Sequence, residues 1–235
     1  MSQKDTYQGN MLKLQLLDDG YAELHFDAIK GSVNVFNQAT VVELHEALAV
    51  LEQQSNIRGL LLTSGKGVFV AGADITEFGD VFKGTDKQRR TFLGAANEAF
   101  NKIESLPYPS VGIIPGWGGT VRLPRLIGFD NAVKWIATGS HNKAAAALKE
   151  GAVDAVVEPD LLHDEALAML VRAAEGQLNY QRRREQKQSP LQLNDTELGM
   201  SIATSKAMVS SKAGPNYPAP IAAVEVLARS GISGF

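Results

Sequence analysis

The feature that most constrains the fold is a short, unbroken apolar run. The run is Gly59–Thr63, with the sequence Gly-Leu-Leu-Leu-Thr, and turn-forming residues stand after it. A strand with one solvated face alternates apolar and polar residues, whereas a strand that is covered on both faces is a continuous hydrophobic run. Gly59–Thr63 is therefore predicted to be a strand buried on both faces.

Strand and helix patterns precede this run. Leucines alternate with polar residues over Leu12–Leu16, Asp18–Gly20 has the composition of a turn, and the alternation returns over Ala22–Phe26. This order predicts a β-hairpin. Thr40 and Glu43 have the spacing of a capping box, which predicts a helix start. The apolar residues of that helix share one face: Leu44, Ala47, Leu48 and Leu51.

The remainder of the chain continues the alternation of strands with helices. A long amphipathic helix is indicated by Phe92, Ala96, Ala99, Phe100 and Ile103. Strands are predicted from Pro107 to Val111 and over Val153–Val157. Further helices are predicted around Val133 and Ile136, from Ala144 to a stop at Gly151, from a cap at Asp160 to about Glu175, and around Leu198 and Ile202 up to Gly214. The alternation predicts an α/β fold.

Composition excludes several classes of function. The net charge of -3 provides no basic field that would hold nucleic acid or an anionic membrane. Cysteine is absent, which excludes disulfides and thiolate zinc sites, and the four histidines have no metal-ligand spacing. No apolar run is long enough to span a bilayer, and the first residues lack the apolar core of a signal peptide. We therefore expect a cytoplasmic protein with no metal, no nucleic-acid partner and no membrane insertion.

The segment Val68–Glu77 is the first candidate site. Asp74 and Glu77 are spaced like a helix cap and its reciprocal partner, which predicts a helix start just after Ala73. Gly72 allows a tight turn of the backbone. A backbone N–H at this point, near the positive end of a helix, is suited to bind a developing oxyanion.

A glycine cluster, Gly116–Gly119, is the second candidate site. Glycines before a helix can cradle a phosphate group. Their spacing differs from the dinucleotide fingerprint, and no suitable strand leads into them. No G-x-S-x-G motif occurs, so a nucleophile elbow is absent.

Three separated motifs, taken together and in order, identify a resemblance to a known family. They are Gly31–Asn37, Val68–Phe78 and Gly112–Gly128, and the chain resembles the crotonase (enoyl-CoA hydratase/isomerase) superfamily. More narrowly, Gly72–Phe78, Asp154–Val157 and Ala213–Pro220 resemble the α-subunits of bacterial fatty-acid oxidation complexes. The resemblance extends from about Met11 to Pro220.

The resemblance implies a fold of repeated ββα units with a C-terminal helical extension. It also implies hydration of a trans-2-enoyl-CoA to the 3-hydroxyacyl-CoA, together with isomerisation of 3-enoyl-CoA. In such enzymes two backbone N–H groups hold the thioester oxygen, and two glutamates activate water and deliver a proton. No metal or redox cofactor is implied, because CoA is part of the substrate.

The resemblance also assigns site residues and an organisation to this chain. Ala73 matches the first oxyanion donor. The substrate-binding residues that it implies are Ser32, Val33, Asn34, Gly72, Asp74, Gly116, Trp117 and Gly118. Residues 1–190 are expected to form the hydratase domain and residues 191–235 a helical extension towards a dehydrogenase part. The implied partners are an acyl-CoA thioester and either further copies of the chain or a thiolase β-subunit.

The chain departs from the family between Val111 and Gly112, which are adjacent here. Family members carry a few tens of residues at this point, including the second oxyanion glycine and both glutamates. Three explanations are open: residues of the protein that this sequence lacks, which we favour, an engineered deletion, or a natural inactive variant. Of the remaining acids, Asp74 and Glu77 are interpreted as caps and Glu104 as a helix surface residue.

Two other functions remain as alternatives. One is a non-catalytic acyl-CoA-binding or scaffolding module, which the absent glutamates favour. The other is a different reaction of the crotonase fold, such as dehalogenation or thioester hydrolysis. The resemblance of Gly72–Phe78 and Pro215–Pro220 to the fatty-acid oxidation subunits opposes this last alternative.

Overall fold

The computed structural model describes residues 4–77, 79, 83–112, 119–139, 141–214 and 216–232. Five strands lie in this part of the chain: β1 (Lys4–Gln8), β2 (Leu12–Leu16), β3 (Tyr21–Phe26), β4 (Gly59–Ser64) and β5 (Ser110–Val111). The helices are α1 (Gln38–Glu52), α2 (Asp86–Glu104), α3 (Gly119–Ile127), α4 (Phe129–Thr138), α5 (Ala144–Glu150), α6 (Leu162–Ala174), α7 (Tyr180–Gln188), α8 (Asp195–Ala213) and α9 (Ala219–Ile232). Short 3₁₀ turns occupy Asp18–Gly20 and Pro159–Leu161.

The five strands form one sheet in the order β1-β2-β3-β4-β5. The first three pair antiparallel, whereas β4 is parallel to β3 and β5 is parallel to β4. The predicted hairpin is confirmed, with Leu12 opposite Phe26 and Leu16 opposite Ala22. Its turn places Asp19 at φ 59° and Gly20 at φ 80°, the left-handed region that aspartate tolerates and glycine favours.

The apolar run of β4 is buried on both faces, as predicted. Leu60 and Leu61 are each 0% exposed. Leu60 belongs to the cluster that α1 and α2 form with one face of the sheet, through residues such as Leu48 and Phe100. Leu61 points to the opposite face and packs with Leu170 of α6.

The chain forms two compact units. The first comprises Met1–Trp117 and Pro159–Tyr180, and it holds the sheet with α1, α2 and α6. The second comprises Gly118–Glu158 and Gln181–Phe235. The predicted boundary between a hydratase domain and a helical extension at residue 190 is a different division, and it stays a prediction.

The second unit has its own hydrophobic core, which α4, α8 and α9 share. Arg125 of α3 is buried beside it, and its guanidinium donates to the carbonyl oxygens of Val121 (2.6 Å), Ser189 (2.8 Å) and Ser230 (3.0 Å). Ser189 follows the last residue of α7, and Ser230 lies in the last turn of α9. One cation thus satisfies carbonyl groups at the ends of two helices, where a positive charge is favourable.

Two predicted helix caps are wrong, although the helices themselves are confirmed. The N-cap of α1 is Asn37, whose side chain accepts the Thr40 N–H at 2.8 Å, and not Thr40. Glu43 instead accepts N–H groups from a distant turn, as described below. Asp160 lies in a 3₁₀ turn, and α6 begins after Leu161 without a side-chain cap.

The strand predicted over Val153–Val157 is also wrong. A strand requires a partner for its backbone groups, and these residues have none in the described structure. Val156 is exposed, and the Asp154 carboxylate accepts from Arg183 Nε at 2.9 Å.

Helix α9 has no separate prediction in the sequence, although it falls within the helical extension expected over residues 191–235. Helix α8 does end at Ala213, as predicted. Pro220, however, is the second residue of α9, and proline is tolerated in the first turn, where its missing N–H would have no helical partner. In the described part of the chain, no helix combines the length and the hydropathy needed to cross a membrane.

Candidate active site

The candidate site is built where two loop segments of the first unit lie side by side. The Phe36 N–H donates to the Gly72 carbonyl oxygen at 2.8 Å, and the Asp74 N–H donates to the Phe36 carbonyl oxygen at 3.0 Å. Phe36 and Ala73 therefore form a parallel β-bridge. Beside this bridge the Ala71 N–H donates to the Asn34 carbonyl oxygen at 2.8 Å, and these three hydrogen bonds are called the ladder below.

This ladder fixes the direction of the Ala73 N–H. In extended backbone, successive N–H groups point to opposite sides. The Gly72 carbonyl and the Asp74 N–H both face Phe36, so the Ala73 N–H faces the other side. Within the described residues it has no acceptor. Ala73 itself is half-buried.

Gly72 is required by the backbone conformation at this turn. Its φ is +123°, which residues with a side chain rarely adopt. A Cβ at this position would meet no atom within 4 Å. The constraint on Gly72 is therefore conformational, and crowding plays no part in it.

Phe36 ties the site to the hydrophobic core. Its side chain is 2% exposed, and its ring meets the Phe100 ring edge-on, with centroids 5.2 Å apart and an interplanar angle of 85°. A second edge-on contact joins it to Phe26 at 6.0 Å. The backbone that pairs with Ala73 therefore stands on a rigid side chain, which is what a preorganised donor needs.

Asp74 and Glu77 do not form the reciprocal cap that their spacing predicts. The Asp74 carboxylate accepts the N–H of Thr76 at 2.9 Å and its hydroxyl at 2.6 Å. These hydrogen bonds, the hydroxyl first, lower the pKa of Asp74. The Glu77 carboxylate accepts the N–H of Gln38 at 3.0 Å, at the first residue of α1. Residues 75–77 form a turn, and residues 78 and 80–82 lie outside the described residues.

The three predicted substrate-binding residues at positions 32–34 differ in their exposure to solvent. Ser32 is exposed and Val33 is half-buried, whereas Asn34 is only 3% exposed. The Asn34 amide is engaged on both its oxygen and its nitrogen by backbone and hydroxyl groups. Ser32 and Val33 are thus accessible to a ligand, and Asn34 is enclosed.

A second loop, residues 64–70, packs beside the ladder. The Ser64 hydroxyl donates to the Val68 carbonyl oxygen at 3.3 Å and accepts the Lys66 N–H at 3.2 Å. Lys66 Nζ lies 3.0 Å from the carboxylate of Asp27. Phe69 packs against the core, and its ring centroid lies 5.9 Å from that of Phe26.

The glycine cluster predicted as part of the site lies outside the described residues. This concerns Gly116, Trp117 and Gly118, so their assignment as substrate-binding residues stays a prediction. Gly112 is described and follows β5 at φ +151°. A Cβ there would lie 2.7 Å from both Cβ and O of Leu62, so only glycine fits against β4 at the junction.

The described site offers a backbone donor but no uncommitted general base. The nearby carboxylates of Asp27, Asp74 and Glu77 are bound to Lys66, Thr76 and Gln38. Glu104 is buried, in contrast to the surface position predicted for it, because it shares a helix face with Phe100 one turn earlier. Among the residues described, no group of three or more His, Cys, Asp or Glu could hold a metal ion.

Three residues that organise the site were missed in the sequence. Phe36, Ser64 and Phe69 hold the two loops by backbone, hydroxyl and ring contacts. Burial alternates over Asn34, Val35 and Phe36 in the structure, but the residue types do not alternate, since Asn34 is polar and the next two are apolar. The pairing partner is about 37 residues away along the chain, which no local pattern reveals.

Comparison with solved structures defines the class to which this fold belongs. An enoyl-CoA hydratase/carnithine racemase from Magnetospirillum magneticum superposes with a TM-score of 0.64, covering 88% of this chain and 94% of that chain. Their sequences are 16% identical, so the likeness concerns the fold. The α/β architecture predicted from the sequence is confirmed as the crotonase fold, with ββα units and a C-terminal helical part.

The family follows from the sequence comparison. Residues 22–111 and 95–203 match the model of the enoyl-CoA hydratase/isomerase family, and the chain belongs to that family. The fatty acid oxidation complex subunit alpha of Idiomarina loihiensis is 43% identical over 257 aligned residues, which cover 94% of this chain. The corresponding subunit of Ectopseudomonas oleovorans is 40% identical and covers 95%. The chain spans 36% of the length of each relative.

The alignments bear on the junction between Val111 and Gly112. The alignment with the Idiomarina protein has 257 positions, more than the 235 residues of the whole chain. Since 94% of the chain is about 221 residues, about 36 aligned positions have no residue here. The first stretch that matches the family model ends at Val111. The alignment with the relative therefore includes about 36 positions that have no counterpart in this chain.

Proposed function

We propose that this protein hydrates trans-2-enoyl-CoA to 3-hydroxyacyl-CoA in fatty-acid β-oxidation. Membership of the enoyl-CoA hydratase/isomerase family supports the reaction class. The names of the two relatives, both fatty acid oxidation complex subunits, support the pathway. The observation that carries the proposal is the Ala73 N–H, held by a ladder on both sides and unpaired within the described residues.

The role of Ala73 is to stabilise the thioester oxygen as it gains negative charge. When water adds at C3 of the enoyl group, electron density moves through C2 to the thioester carbonyl and forms an enolate. A fixed N–H donor binds that oxygen more strongly than the neutral carbonyl, and it needs no reorganisation during the reaction. Proton delivery to C2 then completes the hydration.

The acid–base steps require two glutamates that this chain does not contain. The family resemblance leads us to expect them between Val111 and Gly112, and the alignment with the Idiomarina protein, which has about 36 positions without a residue of this chain, supports that expectation. One glutamate would take a proton from the attacking water and the other would deliver a proton to C2. The second oxyanion donor is expected in the same segment.

Several finer aspects belong to the same proposal. Isomerisation of 3-enoyl-CoA would use the same oxygen-binding N–H, because it also passes through a thioester enolate. Neither reaction needs a cofactor beyond the CoA of the substrate. The names of the relatives favour assembly in a complex. A thiolase β-subunit as the partner and a cytoplasmic location are part of the proposal and follow from the family resemblance.

The experiment that tests the proposal compares two replacements at Ala73 in the protein expressed from its full gene. Ala73→Pro removes the N–H, and losing one oxyanion donor reduces kcat by about 100- to 1,000-fold. Ala73→Gly keeps the N–H and should retain most of the hydration activity. Circular dichroism verifies that both variants are folded. Equal kcat for the folded proline and glycine variants would exclude Ala73 as the donor.

A second candidate function is binding of acyl-CoA without turnover. The direct junction of Val111 with Gly112 favours it, because the chain as it stands lacks both glutamates. Isothermal titration of the 235-residue chain with a saturated acyl-CoA, beside a hydration assay, distinguishes the two. Binding without hydration supports the second candidate, and hydration by this chain excludes it.

A further inference from the structure

We propose that Asn34 is a positioning residue for the oxyanion donor, fastening the loop of Ala73 to the core of the first unit. The inference rests on the proposed role of Ala73. It replaces the substrate-binding role that the family resemblance implied for Asn34. The evidence is the set of hydrogen bonds that its side chain and backbone make to the segment after β3 and to the segment from Ser64 to Ala71.

The Asn34 side chain joins three stretches of chain. Its Oδ1 accepts the Ala28 N–H at 2.9 Å, and its Nδ2 donates to the Phe26 carbonyl oxygen at 2.9 Å. Nδ2 also lies within hydrogen-bond distance of the Ser64 hydroxyl (3.0 Å) and of the Phe69 carbonyl oxygen (3.2 Å). The amide therefore bridges the end of β3, the end of β4 and the loop that leads to Ala73.

These contacts require an amide and no other common side chain. The oxygen must face an N–H donor, and the nitrogen must face two carbonyl oxygens and a hydroxyl. Aspartate, with the same shape, would present a second oxygen to the carbonyls of Phe26 and Phe69. A buried polar side chain with this many partners specifies one arrangement of the loops that it joins.

Two backbone links connect Asn34 to the position of Ala73. The Asn34 carbonyl oxygen accepts the Ala71 N–H, and two residues further Phe36 brackets Ala73 from both sides. The other end of the segment is held by Glu77, whose carboxylate accepts the Gln38 N–H. The direction of the Ala73 N–H thus depends on anchors before and after it.

Burial separates a positioning role from direct substrate contact. Asn34 is 3% exposed, and its polar atoms are directed at protein groups. Ser32, two residues earlier, is exposed. A change at Asn34 should therefore alter the placement of the donor and leave ligand-contacting groups of the segment in place.

The first test is hydrogen exchange, which does not depend on hydration activity. In the parent protein the amides of Ala71 and Asp74 are bonded and should exchange slowly. Asn34→Ala should raise their exchange rates by at least about 10-fold and leave peptides from β2 and β3 unchanged. Unchanged exchange of residues 70–77 in Asn34→Ala would overturn the proposal, whatever the activity of the parent.

The matched control is Leu51→Ala, at the far end of α1 from Gln38. Leu51 is 1% exposed, so its truncation destabilises the same unit from the opposite end of α1. We expect this variant to keep the slow exchange of Ala71 and Asp74 and to keep its kcat. Equal loosening of residues 70–77 in both variants would mean general destabilisation and would overturn the specific role of Asn34.

The second test is kinetic and uses Asn34→Asp beside Asn34→Ala. A donor displaced by about 1 Å lowers turnover by about 100-fold, and kcat should fall while KM changes little. The new carboxyl can donate one hydrogen bond when protonated, so the kcat of Asn34→Asp should recover in part at low pH. A rise in KM with unchanged kcat would identify Asn34 as a substrate contact and overturn the proposal. Absent hydration in the parent would contradict the proposed function and leave the exchange test decisive.

Discussion

Phe36 and Ala73 lie opposite each other in a parallel β-bridge, 37 positions apart in the chain. The Phe36 ring is fixed in the core by Phe26 and Phe100, while its backbone N–H and carbonyl oxygen hold the residues on both sides of Ala73. Phe36 thus joins the hydrophobic core to the candidate site. A donor that is held in this way keeps its direction before any ligand arrives.

The conformation of Gly72 gives a prediction about stability. Gly72→Ala should lower the free energy of unfolding by about 1–3 kcal/mol, because a side chain must adopt a backbone conformation at φ +123° that is sparsely populated. Gly67→Ala is the matched control. A Cβ at Gly67 would also meet no atom within 4 Å, but Gly67 lacks a positive φ, so its replacement should be nearly neutral. Urea denaturation measures both, and equal effects would contradict the conformational explanation.

Glu43 gives a second prediction, on the anchoring of the N-terminal hairpin. Its carboxylate accepts the N–H groups of Asn10 (2.9 Å), Met11 (2.8 Å) and Leu12 (3.2 Å). Glu43→Gln replaces one acceptor oxygen by an NH₂ group and leaves N–H groups unpaired. We expect it to lower the free energy of unfolding by about 1–3 kcal/mol.

The control for Glu43 is Glu46, one helical turn later. Glu46 is exposed and accepts the Tyr7 hydroxyl at 2.7 Å, which a glutamine oxygen can also do. Glu46→Gln should therefore change the free energy of unfolding very little. A loss at Glu46→Gln as large as that at Glu43→Gln would show that helix charge, and not the bonded turn, determines the effect.

His25 predicts a dependence of stability on pH. Burial lowers the pKa of His25 below its ordinary value of 6.5, with the charge of Lys13 acting in the same direction and that of Glu23 opposing it. As the pH is lowered, His25 therefore binds a proton in the unfolded chain at a higher pH than in the folded protein. The free energy of unfolding should therefore fall as the pH drops through about 6.5, and it should stop falling, for this group, below the folded-state pKa.

The measurement is denaturation at pH values of about 7.5, 6.5 and 5.5, on either side of the ordinary histidine pKa, for the parent and for His25→Gln. The glutamine variant should lose less stability between the highest and the lowest pH, because it has no proton to bind. Its ring-free side chain can still reach Thr63, whose hydroxyl lies 2.7 Å from His25 Nδ1 in the parent. Identical pH profiles would assign the dependence to other groups.

Local patterns in the sequence predict the elements but not the contacts that hold the site. Gly59–Thr63 and the helix around Phe100 are confirmed because their burial follows from their own periodicity. Glu43 and Glu77 have the spacing of helix caps, yet their carboxylates bind Asn10 and Gln38, which are distant in the chain. A carboxylate can satisfy any nearby N–H, and sequence spacing does not show which backbone will be near.

The proposed oxyanion donor is indicated by the sequence only in part. The small-residue turn at Gly72 and the resemblance to the family indicate Ala73, but the free direction of its N–H follows from pairing with Phe36. Asn34 illustrates the same limit, because the sequence does not distinguish a buried bridging amide from one that contacts a ligand. Both distinctions depend on tertiary pairing across the two loops.

The most direct test of the account is the intact mass of the protein purified from the cells that produce it. The 235-residue chain has a mass of 25.2 kDa, and a segment of about 36 residues would add about 4 kDa at the same mean residue mass. We expect the larger mass (plus any terminal extensions). We also expect tryptic peptides that show further residues between Val111 and Gly112, two of them glutamates. A peptide that joins Val111 directly to Gly112 would contradict the hydratase mechanism and leave acyl-CoA binding as the function.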